Sequence, residues 1–125
     1  MSQRSSAMSL TILPAEIRDL SVIVKESNPP QFALHGVRDM PTPGWSFIVD
    51  RVEVDTREGR ILVKITDVGP QGIVPQVITP TKIEMHLGKL RVGRYCVEVR
   101  TRRERRQRYV LLQSFAVEAS REASS

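Results

Sequence analysis

Six arginines fall within nine residues, Arg100, Arg102, Arg103, Arg105, Arg106 and Arg108, with Glu104 the one acid among them. A guanidinium fork donates paired hydrogen bonds to phosphate or carboxylate, so this spacing points to an anion contact, and Tyr109 at its edge is placed to stack on a base. The segment holds all of the chain's +5 charge, because the remaining basic and acidic residues balance at thirteen each. A neutral body with one basic protrusion argues for a local contact and against a broad basic binding face. If the flanking strands form a hairpin, Arg100 and Arg102 lie opposite or diagonal to Arg106 and Arg108, and each like-charge pair costs about a few tenths of a kcal/mol. Either hydration at a mobile tip, with Glu98 and Glu104 nearby, or a phosphate or acidic-protein partner offsets that repulsion.

The other reactive residue types do not converge. His35 and His86 fall in different strand candidates, and a metal site needs three or four donors, so neither a metal nor a cofactor is expected. Glu84 with His86 is the one near pair, and an exposed strand pair accounts for it. Cys96, the sole cysteine, alternates with inward Tyr95 and Val97 and should face outward as a plain thiol. No GxSxG, HExxH, GxxxxGK[ST] or GxGxxG occurs. Asp50, Glu53, Asp55 and Glu58 cluster, but Arg51, Arg57 and Arg60 interleave with them, as in a solvated hairpin. Enzymatic chemistry is therefore not expected.

A second contact surface lies in the proline-stiffened stretch from Gly69 to Pro80, where Ile73, Val74 and Gln76 are candidates for a loop contact. The simpler reading is a sheet-to-sheet crossover whose Ile73, Val77 and Ile78 cap the core.

The elements that must position these residues are strands. Period-2 apolar patterns run through Ile17 to Lys25, Phe32 to Val37, Trp45 to Asp55, Ile61 to Thr66, Ile83 to Leu87, Tyr95 to Val99 and Tyr109 to Val117. Within the third, Phe47 and Val49 share one parity and Val52 and Val54 the other, which a bulge near Asp50-Arg51 reconciles. Thr56-Arg57-Glu58-Gly59 reads as a hairpin loop with Gly59 at positive φ. The Asp67 to Pro80 connection has room for one short edge strand around Gln76-Val77-Ile78. Helix is confined to one turn around Pro14 to Asp19.

At 125 residues, with 40% hydrophobic and 26% charged, the chain suits one domain with a single core. The Ser-rich residues 1–13 and 120–125 read as disordered tails around a folded unit at 14–119. No apolar run approaches a membrane span or a secretory leader, so the expected compartment is cytoplasmic unless a leader has been removed, with no membrane partner.

Four segments carry a resemblance: Glu26-Ser27-Asn28-Pro29-Pro30-Gln31-Phe32-Ala33-Leu34, Pro41-Thr42-Pro43-Gly44-Trp45, Gln76-Val77-Ile78-Thr79-Pro80 and Gly93-Arg94-Tyr95-Cys96-Val97-Glu98-Val99. Together they resemble small bacterial immunoglobulin-like sandwich domains over roughly Ile17 to Val117. The Gly93-Arg94-Tyr95 opening is similar to the tyrosine corner of such sandwiches, where the phenol ties a strand start to nearby backbone. Some related sandwiches are intracellular proteinase inhibitors or bind protease complexes, so the resemblance implies a protein partner and no site chemistry. The expectation is an all-β, immunoglobulin-like two-sheet sandwich of about seven antiparallel strands. It would serve as a non-catalytic interaction module, possible protease association being what the resemblance adds. A polyanion or nucleic-acid binder working through the arginine tip is the alternative.

Overall fold

A computed structural model describes residues 15–25, 29–75 and 77–120. Seven strands run in order: β1 (Ile17–Lys25), β2 (Gln31–Met40), β3 (Ser46–Asp55), β4 (Arg60–Val68), β5 (Thr79–Gly88), β6 (Gly93–Arg102) and β7 (Val110–Ala119). They form a three-stranded sheet, β1-β2-β5, and a four-stranded sheet, β3-β4-β6-β7. The described residues contain no helix, and Ile17–Asp19 are already in β1 where a helical turn was expected. Val77 and Ile78 form no edge strand. Apart from Ser120, the expected tails lie outside the described residues, as do Glu26–Asn28 and Gln76.

One pairing departs from the expected all-antiparallel order. β4 and β6 run parallel, from Arg60↔Cys96 to Thr66↔Arg102. The cause is β5, which crosses to the other sheet and brings the chain back in its original direction. A period-2 pattern reports which face is buried and carries no information on the direction of the neighbour.

The alternation itself sets the core. Phe32, Leu34, Ile83, Met85 and Leu87 from one sheet meet Ile61, Val63, Ile65, Tyr95, Val97 and Val99 from the other. The Asp50 region contains the expected bulge, with the β3–β4 register shifting between Val49 and Arg51. A second bulge, between Arg18 and Ser21, places Asp19 at φ 55°. A third, between Val99 and Arg100, reverses the phase at the start of β7, so that Leu111 is exposed and Leu112 partly buried, the opposite of the expected parity, while Gln113, Phe115 and Val117 keep the expected facing. Gly59 adopts φ 65°, and Asp55 Oδ1 accepts from the amides of Arg57 and Glu58 to close that turn. The Tyr95 phenol donates to the Arg91 carbonyl at 2.7 Å, the closure expected of the Gly93-Arg94-Tyr95 opening.

Among the described residues, two polar contacts join the sheets. Gln113 of β7 accepts from the Ile17 amide at 2.6 Å and donates to its carbonyl at 3.1 Å. At the other side, Arg38 of β2, fully buried, grips Asp67 of β4 through Nη1 at 2.5 Å and Nη2 at 3.0 Å, while its Nε donates to the Ala15 carbonyl. The guanidinium lies 5.7 Å from the Phe47 ring centroid. Removing one partner leaves the other as an uncompensated buried charge. Asp67→Ala is expected to cost roughly 3–5 kcal/mol in urea unfolding, whereas the double change Arg38→Met with Asp67→Leu should recover much of that loss. Equal destabilisation by the single and double variants would contradict the assignment.

Candidate functional site

The β6–β7 ladder ends at Thr101↔Val110, and residues 103–109 form the loop. Arg100 sits opposite Leu111, so the cross-strand repulsion expected against Arg106 and Arg108 does not arise. The arginines divide into two sets. Arg100 bonds to Glu98 and Arg102 bonds within the sheet, whereas Arg103, Arg105, Arg106 and Arg108 are exposed on the loop. Three bonds shape that loop: the Arg103 amide donates to Gln107 Oε1 (3.1 Å), the Gln107 amide to the Glu104 carbonyl (3.0 Å), and Arg102 Nη1 to the Arg105 carbonyl (2.7 Å).

Arg102 is the hub on the outer face of the four-stranded sheet. Its guanidinium lies 4.4 Å from the Tyr109 ring centroid, and its Nε donates to Thr66 Oγ1 at 2.9 Å. The Thr66 hydroxyl and the Tyr109 phenol both donate to Asp50 Oδ2, the latter at 2.7 Å, and Arg102 Nη2 is 3.8 Å from the same oxygen. Lys64 Nζ lies 5.3 Å from the Tyr109 centroid. Partial desolvation pushes the Asp50 carboxyl up, but the two hydroxyl donors and the charges of Arg102 and Arg105 outweigh it and hold the group below its ordinary value. The hydrogen bond to Asp50, with burial, raises the Tyr109 phenol. Tyr109 is thus engaged by the fold, with two cations against its ring.

Asp50 was grouped by sequence with Glu53, Asp55 and Glu58 as solvated hairpin charge. Glu53 does pair with Arg51 at 2.7 Å, but Asp50 turns toward β4 and β7. The bulge at Asp50-Arg51 is the sequence signal that could have separated it from its neighbours. Lys64, Thr66 and Trp45 carried no such signal.

The two expected contact surfaces lie at one end. The loops at 41–45, 69–78 and 103–109 leave the strands at the end marked by Met40↔Thr79, Ser46↔Val68 and Thr101↔Val110. Trp45 links all three loops. Arg103 lies 5.4 Å from its ring centroid, and a Cβ built on Gly69 would sit 3.6 Å from its Cη2. Gly44, at φ 93°, approaches Pro70 so closely that a Cβ there would lie 3.0 Å from the proline Cβ. Ile73 is fully exposed, Val77 and Ile78 are 55% and 69% exposed, and Val74 is partly buried. The expectation that Ile73, Val77 and Ile78 cap the core is therefore overturned. Behind the arginine loop is a mostly apolar pocket of ≈ 300 Å³, lined by Thr101, Val110, Leu112, Gln107 and the stems of Arg102, Arg103 and Arg108, with Arg38 and Asp67.

The histidines lie elsewhere. His35 and Glu84 face each other on β2 and β5, with His35 Nε2 2.9 Å from Glu84 Oε1, an ion-pair distance without hydrogen-bond alignment. Lys25 also reaches Glu84, and its hydrogen bond is the main reason that carboxyl is held below its ordinary range. His35, and not His86, is thus the near partner of Glu84. Cys96 is exposed, as expected. Among the described residues no three His, Cys, Asp or Glu side chains group to hold a metal, and no helix is long and apolar enough to cross a membrane. No family model matches the chain, and neither a curated protein nor a solved structure matches it significantly.

The Asp50 network has a spectroscopic signature. In Asp50→Ala, Tyr109 loses its acceptor and the adjacent negative charge, so its phenol should ionise at lower pH in an ultraviolet titration. The carboxylate stabilises the fold above its unfolded value near 3.8, and that contribution disappears as pH falls through the lower folded value. The variant should accordingly show a flatter loss of stability below about pH 4. An unchanged Tyr109 titration would contradict the network.

Proposed function

We propose that the chain is a non-catalytic protein-interaction module of immunoglobulin-like descent, binding through the end of the fold where the loops at 41–45, 69–78 and 103–109 meet. The observation that carries this reading is Trp45, which joins the arginine loop to the apolar loop and makes them one composite surface. That surface combines exposed Ile73, Val77 and Ile78 with four loop arginines, a mixture suited to a partner carrying both apolar and acidic groups. The Tyr95–Arg91 closure supports the immunoglobulin-like descent, with the parallel β4–β6 pair as its main departure. A fully exposed residue on a proline-stiffened loop also suits insertion into a cleft, which is how a protease-associated role would operate.

A polyanion reading has one observation in its favour: Arg105, Arg106 and Arg108 make no ion pair among the described residues. The engagement of Tyr109 by Arg102, Lys64 and Asp50 counts against base stacking.

Photo-crosslinking separates the two. With a benzophenone side chain placed in turn at Ile73, at Arg106 and at Arg57 in the opposite-end hairpin, the module reading expects one and the same polypeptide from Ile73 and Arg106 and nothing from Arg57. The polyanion reading expects a single-stranded oligonucleotide to bind with log K falling against log salt at a slope of about −2 to −4, flattened when Arg103, Arg105, Arg106 and Arg108 become Ser. That second pattern, without a common polypeptide, would overturn the module proposal.

A further inference from the structure

The pocket behind the arginine loop narrows the class of partner. We infer that it takes one apolar side chain from an acidic peptide segment, with flanking carboxylates held by Arg103 and Arg108; this rests on the loop-end reading above and deepens it.

Three features argue for such an occupant. The first is the chemistry of depth against rim. Val110 and Leu112 line it, the exposed cationic groups are Arg103 and Arg108 of the loop, Arg102 is held by Thr66 and Tyr109, and the buried charges, Arg38 and Asp67, already satisfy each other. An anion seated deep would give up hydration to meet apolar carbon and a neutralised pair, so the charged part of a ligand belongs at the rim. The second is size. A volume of ≈ 300 Å³ lies at the low end of ligand sites, enough for an aliphatic or aromatic side chain and its immediate backbone. The third is pre-organisation. The Arg103–Gln107 and Gln107–Glu104 bonds shape the loop, and Trp45 lies against the Arg103 guanidinium, so the rim is set before a ligand arrives. Arg103 and Arg108 face no carboxylate among the described residues, which leaves their charge for the partner.

The test uses the full chain and a short acetylated and amidated peptide of glutamates flanking one leucine, followed by Trp45 emission and by the methyl signals of Val110 and Leu112. The expected result is saturable binding that shifts those methyls. It should weaken about tenfold or more when serine replaces the leucine, from the transfer free energy of one buried aliphatic side chain. Val110→Trp, at a position already 62% exposed and therefore tolerant, should close the pocket mouth and give a similar loss. Arg103→Ser with Arg108→Ser should weaken binding several-fold and reduce its salt dependence.

If the leucine and serine peptides bind equally, and Val110→Trp binds as well as the unaltered chain while the arginine changes still weaken both, the pocket proposal is overturned and the loop-end reading stands. If neither peptide binds and only a single-stranded oligonucleotide does, both fall.

Discussion

The buried ion pair between Arg38 and Asp67 is the contact on which the loop end depends. It spans the two sheets at that end, and its cost in desolvation is offset by bidentate geometry, by the Ala15 carbonyl on Nε and by Phe47 against the guanidinium. Hydrophobic contacts alone would tolerate some sliding of one sheet over the other, because apolar burial is non-directional. A two-point hydrogen-bonded pair does not slide. It fixes the end of β2 against the end of β4, and thereby where the loops at 41–45 and 69–78 begin.

Strand alternation then carries this positioning to the outer face. Asp67 points inward to Arg38, so its neighbour Thr66 points outward, where it donates to Asp50 and accepts from Arg102. On β6 the same alternation puts Thr101 inward, at the pocket, and Arg102 outward, against Tyr109. Because β4 and β6 are parallel and in register at Thr66↔Arg102, the two outward side chains are adjacent without any turn between them. An antiparallel arrangement would place the start of β6 beside Thr66, with Arg94 instead of Arg102 nearest Asp50 and the arginine segment at the far end of the strand. The parallel pairing is thus what lets part of the arginine segment become structural.

Much of the strand plan was legible in the sequence. The boundaries of β1, the alternation of Ile61, Val63 and Ile65, the bulge in β3, the Gly59 turn and the outward Cys96 all follow from local periodicity and turn chemistry. What periodicity could not supply was any relation between segments: the parallel pair, the partners of Arg38 and Asp67, and the arrival of two separate loops at one end. Arg38 and Asp67 read as ordinary polar residues in their strands, since burial of a charged pair leaves no trace in either segment alone. The bulge at Val99/Arg100 is a related case. It leaves Leu112 as an extra residue on β7, so Leu112 and Gln113 are both partly buried and the facing of Leu111 is inverted relative to the rest of the strand.

The charge of the chain changes meaning once this is seen. In sequence, six arginines form one basic segment; in the fold, Arg100 answers Glu98 and Arg102 answers Asp50, so among the described residues the arginines of this segment that make no ion pair are the four beyond the last ladder pair. Of the two structural arginines, Arg102 raises the worth of those four. Arg102 holds the Arg105 carbonyl and stacks on Tyr109 at the root of the loop, and Gln107 holds the Arg103 amide within it. A loop bearing like charges would otherwise spread to reduce its own repulsion, and a ligand would have to reverse that spreading before gaining any contact. Because the repulsion is met by backbone and side-chain bonds inside the loop, the cost of holding the arginines together is borne in folding, and an anionic partner meets a surface already arranged for it.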